Sequence, residues 1–384
     1  MKIINLSSIA NPISISVQNP SRSDYDRFIG LEHYDSGEPV ITRFQGTELL
    51  TTSAKAFKAN DILIARRNVY LKRAGIVFFD GITSGDSIIL RLKEDTQKTI
   101  GYSREDLIRY IPFMLNSEHF WIYANKHADG MNSKRISKDT LLEYEFELPS
   151  IDEMRDISDK LWAAYRLKEA YKKLLVTTDE MVKSQFIEMY YNTHNKQTLE
   201  SVCPIMSKGI TPKYVESSSV LVINQACIHW DGQRLGNIKY HNEEIPVRKR
   251  ILESGDVLLN ATGNGTLGRC CVFICPSDNN TYINDGHVIA LSTDRAVILP
   301  EVLNTYLSLN DTQAEIYRQY VTGSTNQVDI VFSDIKKMKV PVPSMDEQIL
   351  FVEVLKQADK SKSVIQKALV YLNDIQSDEL GKIA

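Results

Sequence analysis

Apolar and small residues recur at Ile157, Leu161, Ala164, Tyr171 and Leu175, stepping by threes and fours, and again at Phe351, Leu355, Ala358, Ile365 and Leu369. The two sets coincide when shifted by 194 positions, and the same stripe carries a lysine in each, Lys168 and Lys362. Such spacing draws a narrow apolar seam along one helix face, and two seams in one register predict two helices that meet. Each stretch is opened by the same short motif, Leu148-Pro149-Ser150-Ile151-Asp152-Glu153 and Val342-Pro343-Ser344-Met345-Asp346-Glu347. The proline stops the preceding strand, and Ser150 or Asp152, like Ser344 or Asp346, can cap the helix. A helix from 152 to 190 would run roughly 55–60 Å at about 1.5 Å per residue, with one of similar length from 346 to 380. Such lengths suit a spacer or a coiled-coil pair.

The segments before each motif, 1–147 and 196–341, also align. Ala59-Asn60-Asp61-Ile62-Leu63-Ile64 corresponds to Ser254-Gly255-Asp256-Val257-Leu258-Leu259, a turn entering a buried strand. A second strand is expected after Gly75 and after Gly268, and Ser87-Ile88-Ile89-Leu90 corresponds to His287-Val288-Ile289-Ala290. Amphipathic helices are expected at Arg104–Asn116 and Pro300–Leu309, and Gly130-Met131-Asn132-Ser133 and Gly323-Ser324-Thr325-Asn326 form matching turns. Each half is therefore mixed α/β with a substantial antiparallel part, and the fold class is α+β. The plan is a tandem: a domain over 1–147, a helix within 148–195, a second domain over 196–341 and a second helix within 342–384. A shared scaffold with divergent loops is expected where each half recognises something different.

At 384 residues the chain has room for two or three domains. Its 43% hydrophobic and 24% charged residues are ordinary for a globular protein. No apolar run approaches the roughly 18 residues of a membrane span. Met1-Lys2-Ile3-Ile4-Asn5-Leu6 lacks the apolar core of a signal peptide, so a cytoplasmic protein is expected. The five cysteines, Cys203, Cys227, Cys270, Cys271 and Cys275, form no Cys-x-x-Cys pair and are expected as free thiols, those of the 270–275 run buried. Net charge of −4 gives no global sign of nucleic-acid binding, yet a local basic face decides affinity for phosphate.

Catalytic signatures are missing: there is no Walker motif, Gly-x-Ser-x-Gly elbow, His-Glu-x-x-His or Asn-Pro-Pro-aromatic motif. Asn260-Ala261-Thr262-Gly263-Asn264-Gly265 lacks the lysine of a phosphate loop and reads as a polar surface turn. Asp334-Ile335-Lys336 resembles the tail of a nuclease pattern but falls in the short connection before the second motif. No cofactor or metal is expected. Binding candidates are better defined. Arg66, Arg67, Lys72 and Arg73 follow a buried strand, and Lys126, His127, Lys134 and Arg135 form a second basic group. Either phosphate and guanine contacts or a solvated surface accounts for them. The corresponding loops of the second half are rich in amides, with Asn224, Gln225, Asn260, Asn264, Asn326 and Gln327, which suit adenine. Asn279-Asn280 reads as a turn. Lys208, Lys213 and Arg269 add charge nearby, and Arg248-Lys249-Arg250 is a further cluster or a soluble loop.

The sequence resembles a specificity subunit of a type I restriction–modification system over nearly its whole length. Pro343-Ser344-Met345-Asp346-Glu347-Gln348 is similar to the Pro-x-x-x-Glu-Gln start of that family's repeats. Gly323-Ser324-Thr325 and Gly209-Ile210-Thr211-Pro212 are also characteristic, and they add Ser324 and Thr325 to the candidate DNA contacts. The first half departs from the pattern, with Met154 in place of the glutamine and Gly130-Met131-Asn132 in place of Gly-Ser-Thr. The resemblance implies two target-recognition domains reading a bipartite double-stranded DNA site, with the two helices packed as an antiparallel coiled coil that sets their spacing. It implies a subunit without catalysis of its own, partnered by methyltransferase subunits that bind S-adenosylmethionine and by restriction and translocase subunits. The competing readings are the recognition part of a methyltransferase-nuclease, a nuclease itself, and a coiled-coil scaffold that binds only protein.

Overall fold

The computed structural model describes residues 2–131, 133–191, 193–324 and 327–383. The chain divides into two compact units, Met1–Lys172 with Gln366–Ala384, and Lys173–Ile365. In the first unit, strand Lys2–Asn5 pairs antiparallel with Glu145–Leu148, which ends at the first proline motif. Between them an antiparallel sheet runs in the order Ala10–Ile13, Ser87–Leu92, Ile62–Ala65, Ala74–Ile76. A second sheet runs Ile15–Val17, Ala54–Phe57, Gly81–Thr83, Phe28–Ile29, and its last pair is parallel.

The unbroken apolar run Ile62-Leu63-Ile64-Ala65 belongs to a strand buried on both faces. Ile62 and Ile64 join a core with the helices Arg104–Met114 and Glu118–Lys126, while Leu63 and Ala65 join a smaller core on the other side. That alternation follows from the two-residue period of a strand.

The second unit repeats the plan. Lys196–Thr198 pairs with Lys339–Pro341, again just before the proline motif. The main sheet runs Ile205–Lys208, Val288–Ser292, Val257–Asn260, Cys270–Val272, all antiparallel. Helices Pro300–Ser308 and Asn310–Gln319 share a core with Val257 and Leu259, whereas Leu258 packs on the far side. The second sheet runs Tyr214–Val215, Lys239–His241, Val220–Ile223, Thr281–Asn284, and its last pair is again parallel. Here the halves differ. The earlier strand of the parallel pair lies inside in this unit and at the edge in the first.

The aligned turns share their geometry. Asn60 and Gly255 both adopt positive φ, at 69° and 96°, where glycine and asparagine are the least strained residues. The next residue, Asp61 or Asp256, is buried and accepts a main-chain N–H from Lys58 or Glu253. Each carboxylate also binds an arginine, Arg91 at 2.7 Å for Asp61 and Arg250 at 2.9 Å for Asp256. One expectation is corrected: Gly75 does not precede its strand but lies inside Ala74–Ile76. A Cβ there would meet Ile41 Cγ1 at 2.9 Å and the Pro39 carbonyl at 3.2 Å, so close packing is what selects glycine.

The two long helices span Ile151–Phe186 and Met345–Leu380, 36 residues each. The first stops four residues short of the expected 190, continuing as a π-helical turn over Ile187–Tyr191. Serine, not aspartate, is the cap. The Ser150 N–H and hydroxyl donate to Glu153 Oε2 at 3.0 and 2.7 Å, and the Glu153 N–H returns to Ser150 Oγ at 3.3 Å. Ser344 and Glu347 repeat this capping box, with 2.9 and 2.7 Å on the outward bonds. These donors hold both glutamates below the ordinary carboxyl range.

The motif is tied down differently in the two halves. Buried Gln348 donates to the carbonyls of Pro343 at 3.0 Å and Val297 at 2.9 Å, and accepts from the Leu299 N–H at 2.8 Å. At the matching place Met154 is an apolar core residue, and the Tyr102 hydroxyl donates to the Pro149 carbonyl at 2.7 Å. A tyrosine from the loop does there what the helix glutamine does in the second half. Arg155 adds a bidentate bond to Asp106 at 2.8 and 3.0 Å.

The seam positions are buried or half-buried along both helices. In the first unit Lys168 is buried, donating to Gln376 at 2.7 Å with Glu38 at 3.6 Å. In the second, Lys362 lies 2.9 Å from Asp179 and 2.8 Å from Asp359, and Phe186 stands edge-on to Phe351.

Two outcomes test these junctions. Gln348→Met would leave three main-chain groups unpaired and should lower stability by about 1–3 kcal/mol, against about 1 kcal/mol for Tyr102→Phe, which removes one bond, measured by urea unfolding. A folded-state pKa that is depressed gives stability present above the unfolded value of roughly 4 and lost as pH falls through the folded one. Ser150→Ala combined with Ser344→Ala should therefore flatten the loss of thermal stability on acidification from about pH 6 to about pH 3.

Candidate nucleic-acid interface

In each unit three loops meet at the end of the central strand. The Arg66 N–H donates to the Asp86 carbonyl at 2.9 Å, and the Arg66 carbonyl accepts from the Ile136 N–H at 3.0 Å. In the second unit the Ala261 N–H donates to the His287 carbonyl at 2.8 Å, and its carbonyl accepts from the Ile330 N–H at 2.8 Å. One residue on, Arg67 forms an isolated bridge with Arg135, as Thr262 does with Asp329. Gly130 and Gly323 turn the third loop with φ of 110° and 116°. The frame is made by main-chain groups, so the side chains it displays are unconstrained by it.

In the first unit the two basic groups become one patch. Arg67 donates Nε to Ser133 Oγ at 2.8 Å, and the Asn68 N–H donates to the Lys134 carbonyl at 2.7 Å. Asp86 stands between two half-exposed arginines, 3.9 Å from Arg67 Nη1 and 3.6 Å from Arg135 Nη2. Arg66 Nε is buried with no partner among the described residues. Arg73 braces the loop, donating to the carbonyls of Leu31 at 2.9 Å and Arg67 at 3.1 Å, and burial lowers its pKa. Lys72 is paired with Glu118. Lys134 and Lys126 are exposed, and His127 stacks on Tyr123 at 4.2 Å. The sequence reading missed Lys55, whose ammonium donates to the carbonyls of Gly85 at 3.1 Å and Ser87 at 3.0 Å. Burial, then the charge of Arg66, lowers its pKa. It also missed Asp86; no local signal marks either residue, because both reach the patch through sheet pairing.

In the second unit many candidates serve the fold. Lys208 is neutralised by Asp329, with both oxygens within 2.9 Å. Asn260 is buried and donates to the Gln225 carbonyl at 3.1 Å, so the Asn260 end of the expected surface turn is interior. Asn264, at the tip of that turn, is exposed. Lys249 donates to the carbonyls of Lys208 and Gly209 at 2.8 Å, and Arg250 serves buried Asp256. Thr262 Oγ1 meets His287 Nδ1 at 2.9 Å. The Lys213 side chain is exposed, while its N–H donates to His241 Nδ1 at 3.0 Å. Arg269 lines a cleft of about 450 Å³ with Lys183, Trp230 and Tyr317. Ser324 ends the hairpin strand Val321–Ser324, and Thr325 and Asn326 lie outside the described residues. Gly209 passes so near the Asn284 and Asp285 carbonyls that any Cβ would overlap them, which accounts for the glycine of Gly-Ile-Thr-Pro.

The remaining chemistry is quiet. Four cysteines are buried, and burial pushes Cys203 and Cys271 up to about 12. Thiols so shifted are poor nucleophiles at neutral pH. Among the described residues no group of His, Cys, Asp and Glu could hold a metal ion, and no helix is long and apolar enough to cross a membrane.

No family model matches the chain, and no curated protein is similar to it by sequence. Solved structures do match. A chain from a type I R-M system, described for its complex assembly and conformational transition, is 16% identical over 99% of this chain and 96% of its own, with a TM-score of 0.58. The S subunit of a type I restriction-modification system from M. genitalium is 13% identical over 99% and 94%, with a TM-score of 0.52. The chain shares the fold of these proteins from end to end.

Arg73→Ala should loosen the 66–73 loop, because two carbonyls lose their donor. Hydrogen exchange at Asn68, whose N–H is held by the Lys134 carbonyl, should accelerate by about tenfold, as expected for roughly 1.4 kcal/mol of lost local protection, with global unfolding little changed.

Proposed function

We propose that the chain is the specificity subunit of a type I restriction–modification system, binding a bipartite double-stranded DNA target without catalysing a reaction. The observation that carries this reading is the repeated three-loop frame, built from the same main-chain bonds in both units and displaying different side chains. A recogniser of two unlike half-sites needs that combination. The likeness in fold to an S subunit over nearly the whole chain supports it.

On this reading the target-recognition domains are 1–147 and 196–341, with spacer helices within 148–195 and 342–384. The helices pack antiparallel as a coiled-coil ruler. Support comes from pairings inside each unit, Lys168 with Gln376 in the first and Phe186 with Phe351 in the second. At about 1.5 Å per residue, 36 residues reach about 54 Å, on the order of one and a half turns of B-DNA. Candidate contacts are Arg66, Arg67, Lys126, Lys134 and Arg135 in the first domain, and Lys213, Asn264, Arg269, Ser324, Thr325 and Asn326 in the second. Methyltransferase subunits carrying S-adenosylmethionine, and restriction and translocase subunits, would supply the chemistry in the cytoplasm. The nuclease alternative is weakened at Lys336, which lies over the Phe332 ring at 4.8 Å in the short connecting segment.

DNA affinity should fall steeply with salt, and Arg66→Ala with Arg67→Ala should weaken binding at least about tenfold and reduce the log–log salt slope by roughly one to two. A protein-only scaffold would show no DNA affinity at any salt. Inserting one heptad into each long helix should change the spacer between half-sites while leaving both half-sites intact; an unchanged spacer would sink the ruler.

A further inference from the structure

Resting on the DNA-binding reading above, the geometry points to Arg67 and Arg135 as guanine-reading residues of the first domain, with Asp86 as the residue that orients them. The two arginines come from loops 68 positions apart (135 − 67) and are brought side by side by the Arg67–Arg135 bridge. Arg67 spends Nε on Ser133 Oγ, while its terminal Nη pair makes no hydrogen bond among the described residues and the side chain is half-exposed. The Arg135 side chain makes no hydrogen bond among the described residues; its one close charge is Asp86 at 3.6 Å. Guanine offers two acceptors, O6 and N7, on its major-groove edge, and the planar arginine fork matches them bidentately.

Asp86 distinguishes this arrangement from a patch that only neutralises phosphate. A carboxylate amid Arg66, Arg67, Arg135 and Lys55 subtracts attraction for the DNA backbone. What it adds is direction: one fixed anion within 4 Å of both guanidinium groups restricts their rotamers before DNA arrives. It is itself held, its carbonyl by the Arg66 N–H and its own N–H by Ser84 Oγ at 3.2 Å. The equivalent positions of the second domain carry Thr262, His287 and Asp329, and Asp329 is already occupied by Lys208. The frame thus presents an arginine pair in one domain and no arginine at the same three positions in the other.

Selection of random-sequence duplex DNA by the full chain, followed by sequencing, tests the assignment. Wild type should yield a bipartite site with guanine fixed in one half. Arg67→Lys and Arg135→Lys keep the charge and lose the fork; they should cut the preference for guanine there by roughly tenfold while the salt slope and the other half-site stay unchanged. Asp86→Asn should relax the same base preference without loss of overall affinity, an outcome that a merely structural carboxylate would not give. If the lysine variants retain the wild-type half-site, the assignment falls and the DNA-binding reading stands. A wild-type chain that selects no sequence overturns both.

Discussion

The main-chain bonds at Arg66 and at Ala261 are the constraint on which the interface depends. In each unit one residue at the end of the central strand donates to a second loop and accepts from a third. Backbone groups are the same whatever the side chain, so this knot survives complete replacement of what it displays. In one unit it displays Arg67 and Arg135, in the other Thr262 and Asp329. The cost of ordering three loops is met by the sheet beneath them, where Ile62–Ala65 and Val257–Asn260 are buried throughout. Side-chain variation at the rim therefore carries little penalty in the fold.

The proline motif solves a second problem, that of leaving a strand and entering a long exposed helix in a defined direction. Proline ends the strand without leaving an N–H that needs an acceptor, and the serine–glutamate box satisfies the first free N–H groups of the helix. The proline's own carbonyl then needs a partner, and the halves supply different ones, Tyr102 for Pro149 and Gln348 for Pro343. The departure at Met154 is thereby explained. Once a tyrosine from the neighbouring loop takes the carbonyl, the helix position is free to become apolar, and Met154 is fully buried in the core.

The periodic parts of this architecture could be read from residues alone, and the reasons are local. A seam stepping by threes and fours, a proline before a serine, and an apolar run after an asparagine or glycine turn each declare their structure within a few residues. The interface could not be read in the same way. Lys55 and Asp86 reach the patch across strand pairings, and Arg67 meets Arg135 from across the sequence. Conversely, Lys208, Lys249 and Arg250 look like free cations in the sequence and are consumed by Asp329, by two carbonyls and by Asp256. Residue type alone does not separate a cation that holds the fold from one left to meet a ligand. Only its partners do.

That partition bears on how a chain of net charge −4 would bind a polyanion. In the first unit Asp86 faces both Arg67 and Arg135, while Arg66 keeps a buried Nε–H without a partner among the described residues. In the second unit Lys208, which borders the frame, is neutralised by Asp329. Screening confines the influence of these charges to roughly 8–10 Å at physiological salt, so the distant acids that set the net charge do not cancel the patch. On the proposed reading the two domains would then contribute unlike terms. The first would supply most of the salt-dependent attraction, and the second would discriminate through hydrogen-bonded groups such as Thr262 and His287. A recogniser built this way keeps its total phosphate attraction modest, which limits binding to the many wrong sites a genome offers, while leaving base selection to both halves.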